Sequence, residues 1–196
     1  MFIDNISSKI TELIKRNSDV SEEKAEIINY GINIFIYETL IILIIFSVAI
    51  ISGYFKYILT SFLVYGILRT FAGGAHAHTR AQCLITYVTV LTSVMLISKY
   101  LWSDSFLPAI FLFILNIIIL VKYAPGDTVQ KPFRSKKLKS RLKFLSILAT
   151  VIVYSIALIA WHSDRLLYNV IILSTIPVMF LLHPIGYKAL KCQHGS

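Results

Sequence analysis

Residues 32–52 read INIFIYETLIILIIFSVAIIS, and this run decides the class of fold. A helix rises about 1.5 Å per residue, so about 20 apolar residues cross the roughly 30 Å hydrocarbon core of a bilayer. Only Glu38 interrupts that length here. Further apolar runs follow at 54–71, 81–101, 105–122, 142–161 and 166–182. The run at 54–71 is the weakest, because Lys56 and Arg69 lie near its two ends. No signal-peptide pattern precedes the first run. The expected fold is all-α: a polytopic membrane protein with about six transmembrane helices.

Composition points the same way. The chain has 196 residues, of which 57% are hydrophobic and 15% charged, and its mean hydropathy is +0.74. Soluble domains carry about 25% charged residues. A chain this apolar cannot cover itself with polar groups, which excludes a soluble globular protein. It also has far too much to bury for disorder. Before the first run, Phe2, Ile3, Ile6, Ile10, Leu13 and Ile14 recur at three- and four-residue steps, with Lys9, Lys15 and Arg16 between them. That spacing predicts an amphipathic N-terminal helix lying on the membrane surface. The competing reading packs its apolar stripe on the protein itself. Ser21 followed by Glu22 and Glu23 predicts a helix start. The resulting organisation is an N-terminal segment at 1–31, a six-span domain at 32–185 and a cytoplasmic tail at 186–196.

The net charge is +9, from 19 Lys and Arg against 10 Asp and Glu. Charge alone leaves nucleic acid and anionic lipid both open as partners; position decides between them. With six spans, only Lys56, Lys99 and Arg165 fall on one side of the membrane, and every other base falls on the side of the termini. The positive-inside rule then places both termini in the cytoplasm. Segment 122–143 dominates, with Lys122, Lys131, Arg134, Lys136, Lys137, Lys139, Arg141 and Lys143 against the single acid Asp127. It reads as a topology anchor on anionic lipid, as a dock for an acidic partner, or as both. No nucleic-acid partner is expected.

Chemistry gathers where the second and third spans meet the cytoplasm, in Arg69-Thr-Phe-Ala-Gly-Gly-Ala-His76-Ala-His78-Thr-Arg80-Ala-Gln-Cys83. Ionisable residues at a bilayer edge are costly and default to a functional hypothesis. Gly73 and Gly74 predict a helix break. A cysteine nucleophile needs a base or cation nearby, because the thiolate is the reactive form. In one straight helix His76 and Cys83 would sit roughly 10 Å apart along the axis. A Cys–His dyad therefore requires a turn before Cys83, which the glycines supply. Cys83 then lies in the first turn of the third span, where the helix dipole favours a thiolate. From spacing alone other readings stay open: a zinc site at His76, His78 and Cys83, an interfacial His78, or a buried inert thiol at Cys83. Cys192 reads as incidental, and no disulfide is expected on the reducing side.

At these residues the chain resembles the accessory gene regulator B (AgrB) family, membrane cysteine endopeptidases of Gram-positive quorum sensing. The likeness rests on the amphipathic start, the six spans, the Arg69…Gly-Gly-Ala-His76…Cys83 stretch, and Tyr123-Ala-Pro-Gly-Asp-Thr followed by Lys131-Pro132. It implies His76 as base and Cys83 as nucleophile, with Arg69 and Gly74 on motif positions and no metal or cofactor. The implied substrate is an AgrD-like propeptide with an amphipathic helix, a central cysteine and an acidic C-terminal tail. The implied product is a (thio)lactone-cyclised autoinducing peptide. A homodimer in the cell membrane of a Gram-positive bacterium is implied as well.

The bases Lys131, Arg134, Lys136, Lys137 and Lys139 suit the acidic tail. Glu38, roughly 10 Å into the first span, is the candidate third group orienting His76; alternatively it is protonated or paired with Arg69. Two other classes compete with the peptidase. A small-peptide or lipid transporter would carry internal repeats, and none stands out. A zinc-dependent membrane hydrolase would be inactivated by chelators.

Overall fold

Inside lipid a chain must satisfy its own backbone hydrogen bonds, and a helix does so within each segment. The computed structural model describes residues 2–18, 20–75, 80–100, 106–127, 135–190 and 192. Among these residues the secondary structure is helical, with no strand. The chain divides into two compact units, Met1–Gly53 and Tyr54–Ser196.

The first unit holds α1 (Phe2–Asn17) and α2 (Glu22–Ile51). In α1, Asp4 in the first turn and Lys15 and Arg16 in the last suit the helix dipole. As the sequence suggests, α2 begins after Ser21, whose backbone is extended, with Glu22 and Glu23 in its first turn. The helix runs unbroken through residue 31, where the N-terminal segment was expected to end. The two helices meet through polar groups. Asn33 Nδ2 donates to Asp4 Oδ1 at 2.8 Å and to Ser7 Oγ at 3.2 Å, while Ser7 and Thr11 are buried. Ile10 and Leu13 of α1 are exposed. The apolar stripe therefore keeps an open side at these two residues, while Ile3, Ile6 and Ile14 are half-buried.

The second unit comprises α3 (Phe55–Ala72), α4 (Arg80–Tyr100), α5 (Phe106–Tyr123), α6 (Lys136–Ser163), α7 (Arg165–Leu173), α8 (Ile176–Leu182) and α9 (Pro184–Ala189). At its centre α7 is buried all round, from Tyr168 to Leu173. It packs against α3, α4 and α6, and α5 lies against α6 and α8. Ala72 and Ala157 are fully buried; small side chains let helices approach closely where lipid offers little hydrophobic drive.

Among the described residues, four stretches are long and apolar enough to cross a membrane: α2, α5, α6 and Arg165–Leu182. Leu84–Tyr100 within α4 is a shorter apolar helix. Of the six expected spans, those at 54–71 and 81–101 lie on α3 and α4, which are not among the four, and the molecule is an all-α polytopic membrane protein. The sixth differs in form, because it is two helices rather than one. Pro177 lacks the N–H that would bond the Leu173 carbonyl, and its ring crowds that carbonyl. The chain breaks at Ser174 and Thr175, whose hydroxyls find Ser61 Oγ at 2.8 Å and the Ile172 carbonyl at 2.7 Å. Pro184 ends α8 in the same way, with the preceding His183 extended at ψ 148.

Lys56, Lys99 and Arg165 all lie at one end of this unit's helices. Lys56 Nζ pairs with Asp164 Oδ2 at 2.8 Å, Lys99 lies over the Tyr54 and Tyr100 rings, and Arg165 stacks on Trp161. The opposite end carries the N-terminus of α6 and the site described next.

Candidate active site

The site begins at the last turn of α3. The helix stops at Ala72 because Gly73 and Gly74 take φ of 67° and 113°, a region that favours glycine. Arg69, half-buried one turn earlier, folds its guanidinium back over this break. It donates to the carbonyls of Gly73, Gly74 and Ala75. A planar fork of donors suits several converging carbonyls, and a cation suits a helix C-terminus.

The segment that follows is paired on both sides. Gly74 N–H donates to the Gly126 carbonyl at 3.0 Å, and Gly126 N–H donates to the Ala72 carbonyl at 2.8 Å. Together they form a short parallel bridge. Ala75 N–H donates to the Leu181 carbonyl at 2.8 Å, at the end of α8. Glycine is required on both strands. A Cβ on Gly74 would sit 2.7 Å from the Leu181 carbonyl oxygen, and one on Gly126 would sit 2.7 Å from both Gly74 Cα and Tyr187 Oη.

The third component comes from α9. Tyr187 Oη donates to the Asp127 carbonyl at 2.9 Å, and Cys192 N–H donates to the Tyr187 carbonyl at 2.8 Å. Ala75, Tyr187 and Cys192 form one buried apolar cluster. Burial pushes the Tyr187 phenol up to about 12, so it stays a donor at neutral pH. The Asp127 carboxylate is buried as well and meets Lys139 Nζ at 3.2 Å. Three stretches distant in sequence thus converge immediately before His76.

The family model for accessory gene regulator B matches residues 7–182. The chain belongs to that family. An AgrB-like protein of Clostridium acetobutylicum is 28% identical over 196 residues, covering 98% of this chain and 92% of the relative. Accessory gene regulator protein B of Staphylococcus intermedius is 29% identical over 160 residues, covering 81% and 84%. Its Staphylococcus aureus counterpart (strain bovine RF122 / ET3-1) is 25% identical, covering 91% and 97%. No solved structure matches the chain. Membership gives the protein a role in the accessory gene regulator quorum-sensing system.

Against this AgrB framework the residues singled out from sequence fall as follows. Cys83 lies in the first turn of α4, as expected; its side chain, and His76 and His78 entirely, lie outside the described residues. Arg69 and Gly74 meet directly at the α3 break. Glu38 is an exposed residue of α2, in the other unit. Lys131 and Arg134 lie outside the described residues. Lys136 and Lys137 are exposed in the first turn of α6, whereas Lys139 turns onto Asp127.

The sequence does not foretell that Leu181, Tyr187 and Cys192 come to lie beside this segment. Backbone pairing leaves no side-chain signature, and Cys192 read as incidental because nothing local shows that the chain returns to Ala75. The only available hint was Pro184, which ends α8 and starts the short turn that carries Tyr187.

Proposed function

We propose that the chain is a membrane cysteine endopeptidase that removes the acidic tail of an AgrD-like propeptide and promotes its cyclisation. Cys83 is the nucleophile and His76 the base. His76 accepts the thiol proton, the thiolate attacks the carbonyl carbon before the tail, and the proton then passes to the departing amine as the C–N bond breaks. The acyl group is left on Cys83 as a thioester. The peptide's own cysteine attacks that carbonyl, forming the ring thioester and returning the Cys83 thiol. Because one thioester replaces another, the exchange is close to isoenergetic. Its yield depends on excluding water, which a site at the apolar bilayer edge favours.

The observation that carries this reading is the convergence of the two motif segments. The glycine bridge sets 72–75 against 124–126, and the chain then enters His76 and returns as α4 with Cys83 in its first turn. A helix N-terminus and a neighbouring imidazole both lower a thiol pKa. The exposed Lys136 and Lys137 supply positive charge for the acidic tail. In this reading both termini lie in the cytoplasm of a Gram-positive cell, the basic loop rests on anionic lipid, and the working unit is a homodimer.

The test uses the full-length protein in vesicles with a propeptide carrying an amphipathic helix, a central cysteine and an acidic tail. Mass spectrometry is expected to find the tail-less peptide linked to Cys83 as a hydroxylamine-sensitive adduct. Cys83→Ala and His76→Ala should each abolish cleavage while the protein stays in the membrane. Full cleavage by Cys83→Ala would overturn the assignment.

A further inference from the structure

The family match ends at residue 182, before α9 begins, yet α9 reaches the segment that leads into His76. We propose that Tyr187 is a positioning residue of the peptidase reaction: by tying α9 to the Asp127 carbonyl, it holds the paired 72–75 and 124–127 segments from which the chain continues into His76. The inference rests on the peptidase reading above.

The geometry leaves little slack. Tyr187 is 4% exposed, and its hydroxyl closes a gap to the Asp127 carbonyl where Gly126 has no room for a Cβ. Its ring is in the cluster with Ala75, the last described residue before His76, and with Cys192. Among the described residues, Arg69, Asp127 and Cys192 are the ionisable groups that act on it. Arg69 grips the same Gly73–Ala75 backbone from the other side. The strand is thus held by a guanidinium from α3 and through a phenol from α9. Loosening the second hold frees the segment that fixes where the imidazole begins. A misplacement of about 1 Å can cost on the order of a hundredfold in rate.

Tyr187→Phe removes one oxygen and keeps the ring in its cluster. In vesicles with the same propeptide, kcat for cleavage is expected to fall about ten- to a hundredfold with KM within about twofold. A second readout needs no substrate. The alkylation rate of Cys83 is followed against pH by mass spectrometry of the peptide that carries it. Its midpoint should rise toward about 8.5, the value of a free thiol, as the imidazole withdraws, while the thermal midpoint changes little. Gly126→Ala, which forces the same strands apart, should reproduce both effects.

Two results would overturn the proposal. One is a Tyr187→Phe protein with wild-type kcat and an unchanged alkylation profile. The other is lost activity with an unchanged alkylation profile and a collapsed thermal midpoint, which would make Tyr187 merely structural. Failure of the wild type to form a Cys83 adduct would instead sink the peptidase reading, and the alkylation comparison would still decide whether Tyr187 acts on the site.

Discussion

Arg69 shows how one side chain can hold a run of backbone in place. Its donors go to the carbonyls of Gly73, Gly74 and Ala75, so its charge and its shape both serve the helix break. A lysine would keep the charge and lose the fork. Arg69→Lys is therefore expected to lower cleavage on the order of ten- to a hundredfold, taking about 1.5–3 kcal/mol for a lost charge-assisted bond. Wild-type cleavage rates in that variant would show that the clamp is dispensable. The break itself was legible, since two consecutive glycines announce it. Arg69's partners were not, because carbonyls offer no pattern to read. For the same reason Tyr187 escaped notice, because its acceptor is the backbone of Asp127.

At the scale of elements, apolar length gave the helices, and proline divides the last of them into α7, α8 and α9. The run at 166–182 looked like one span because seventeen residues of mostly apolar sequence outweigh one proline by eye; Pro177 nonetheless splits it into α7 and α8. The start of α7 makes its own prediction. Burial works to raise the Asp164 carboxyl, but hydrogen bonds from Lys56, the Leu167 N–H and Tyr57 outweigh it and hold the group below the usual carboxylate range. A lowered folded-state pKa stabilises the fold above the unfolded value of about 3.9, and that contribution fades as pH falls through it toward the folded value. Thermal midpoints in detergent should fall on acidification from about pH 5 to about pH 3, and Asp164→Asn should show a shallower fall. Equal slopes for the two proteins would remove Asp164 from the account of acid sensitivity.

Across the second unit the charged groups are divided between two ends. Lys56, Lys99 and Arg165 are engaged at one end of the second unit, while Lys136 and Lys137 stand exposed where α6 begins at the other. If that end receives an acidic tail, neutralising Lys136 and Lys137 together as glutamines should raise KM several-fold and leave kcat nearly unchanged. Raising salt from about 0.05 to about 0.5 M should mimic the change, because the screening length shrinks well below about 10 Å. A KM indifferent to both would separate the basic loop from substrate capture and leave it as a topology anchor. The all-α membrane class was readable from hydropathy alone. The division at Gly53 was not, because it depends on which helices share contacts rather than on how apolar each one is.

The cradle before His76 also has an order of birth. Residues 72–75 leave the ribosome first, 124–127 follow, and 187–192 come last of the three. A chain still being inserted carries both His76 and Cys83, yet lacks the tyrosine that fastens the segment between them and the α3 break. On the positioning role proposed for Tyr187, the proposed site is complete only once α9 has been made, so the reactivity proposed for Cys83 would arise late in the chain's synthesis.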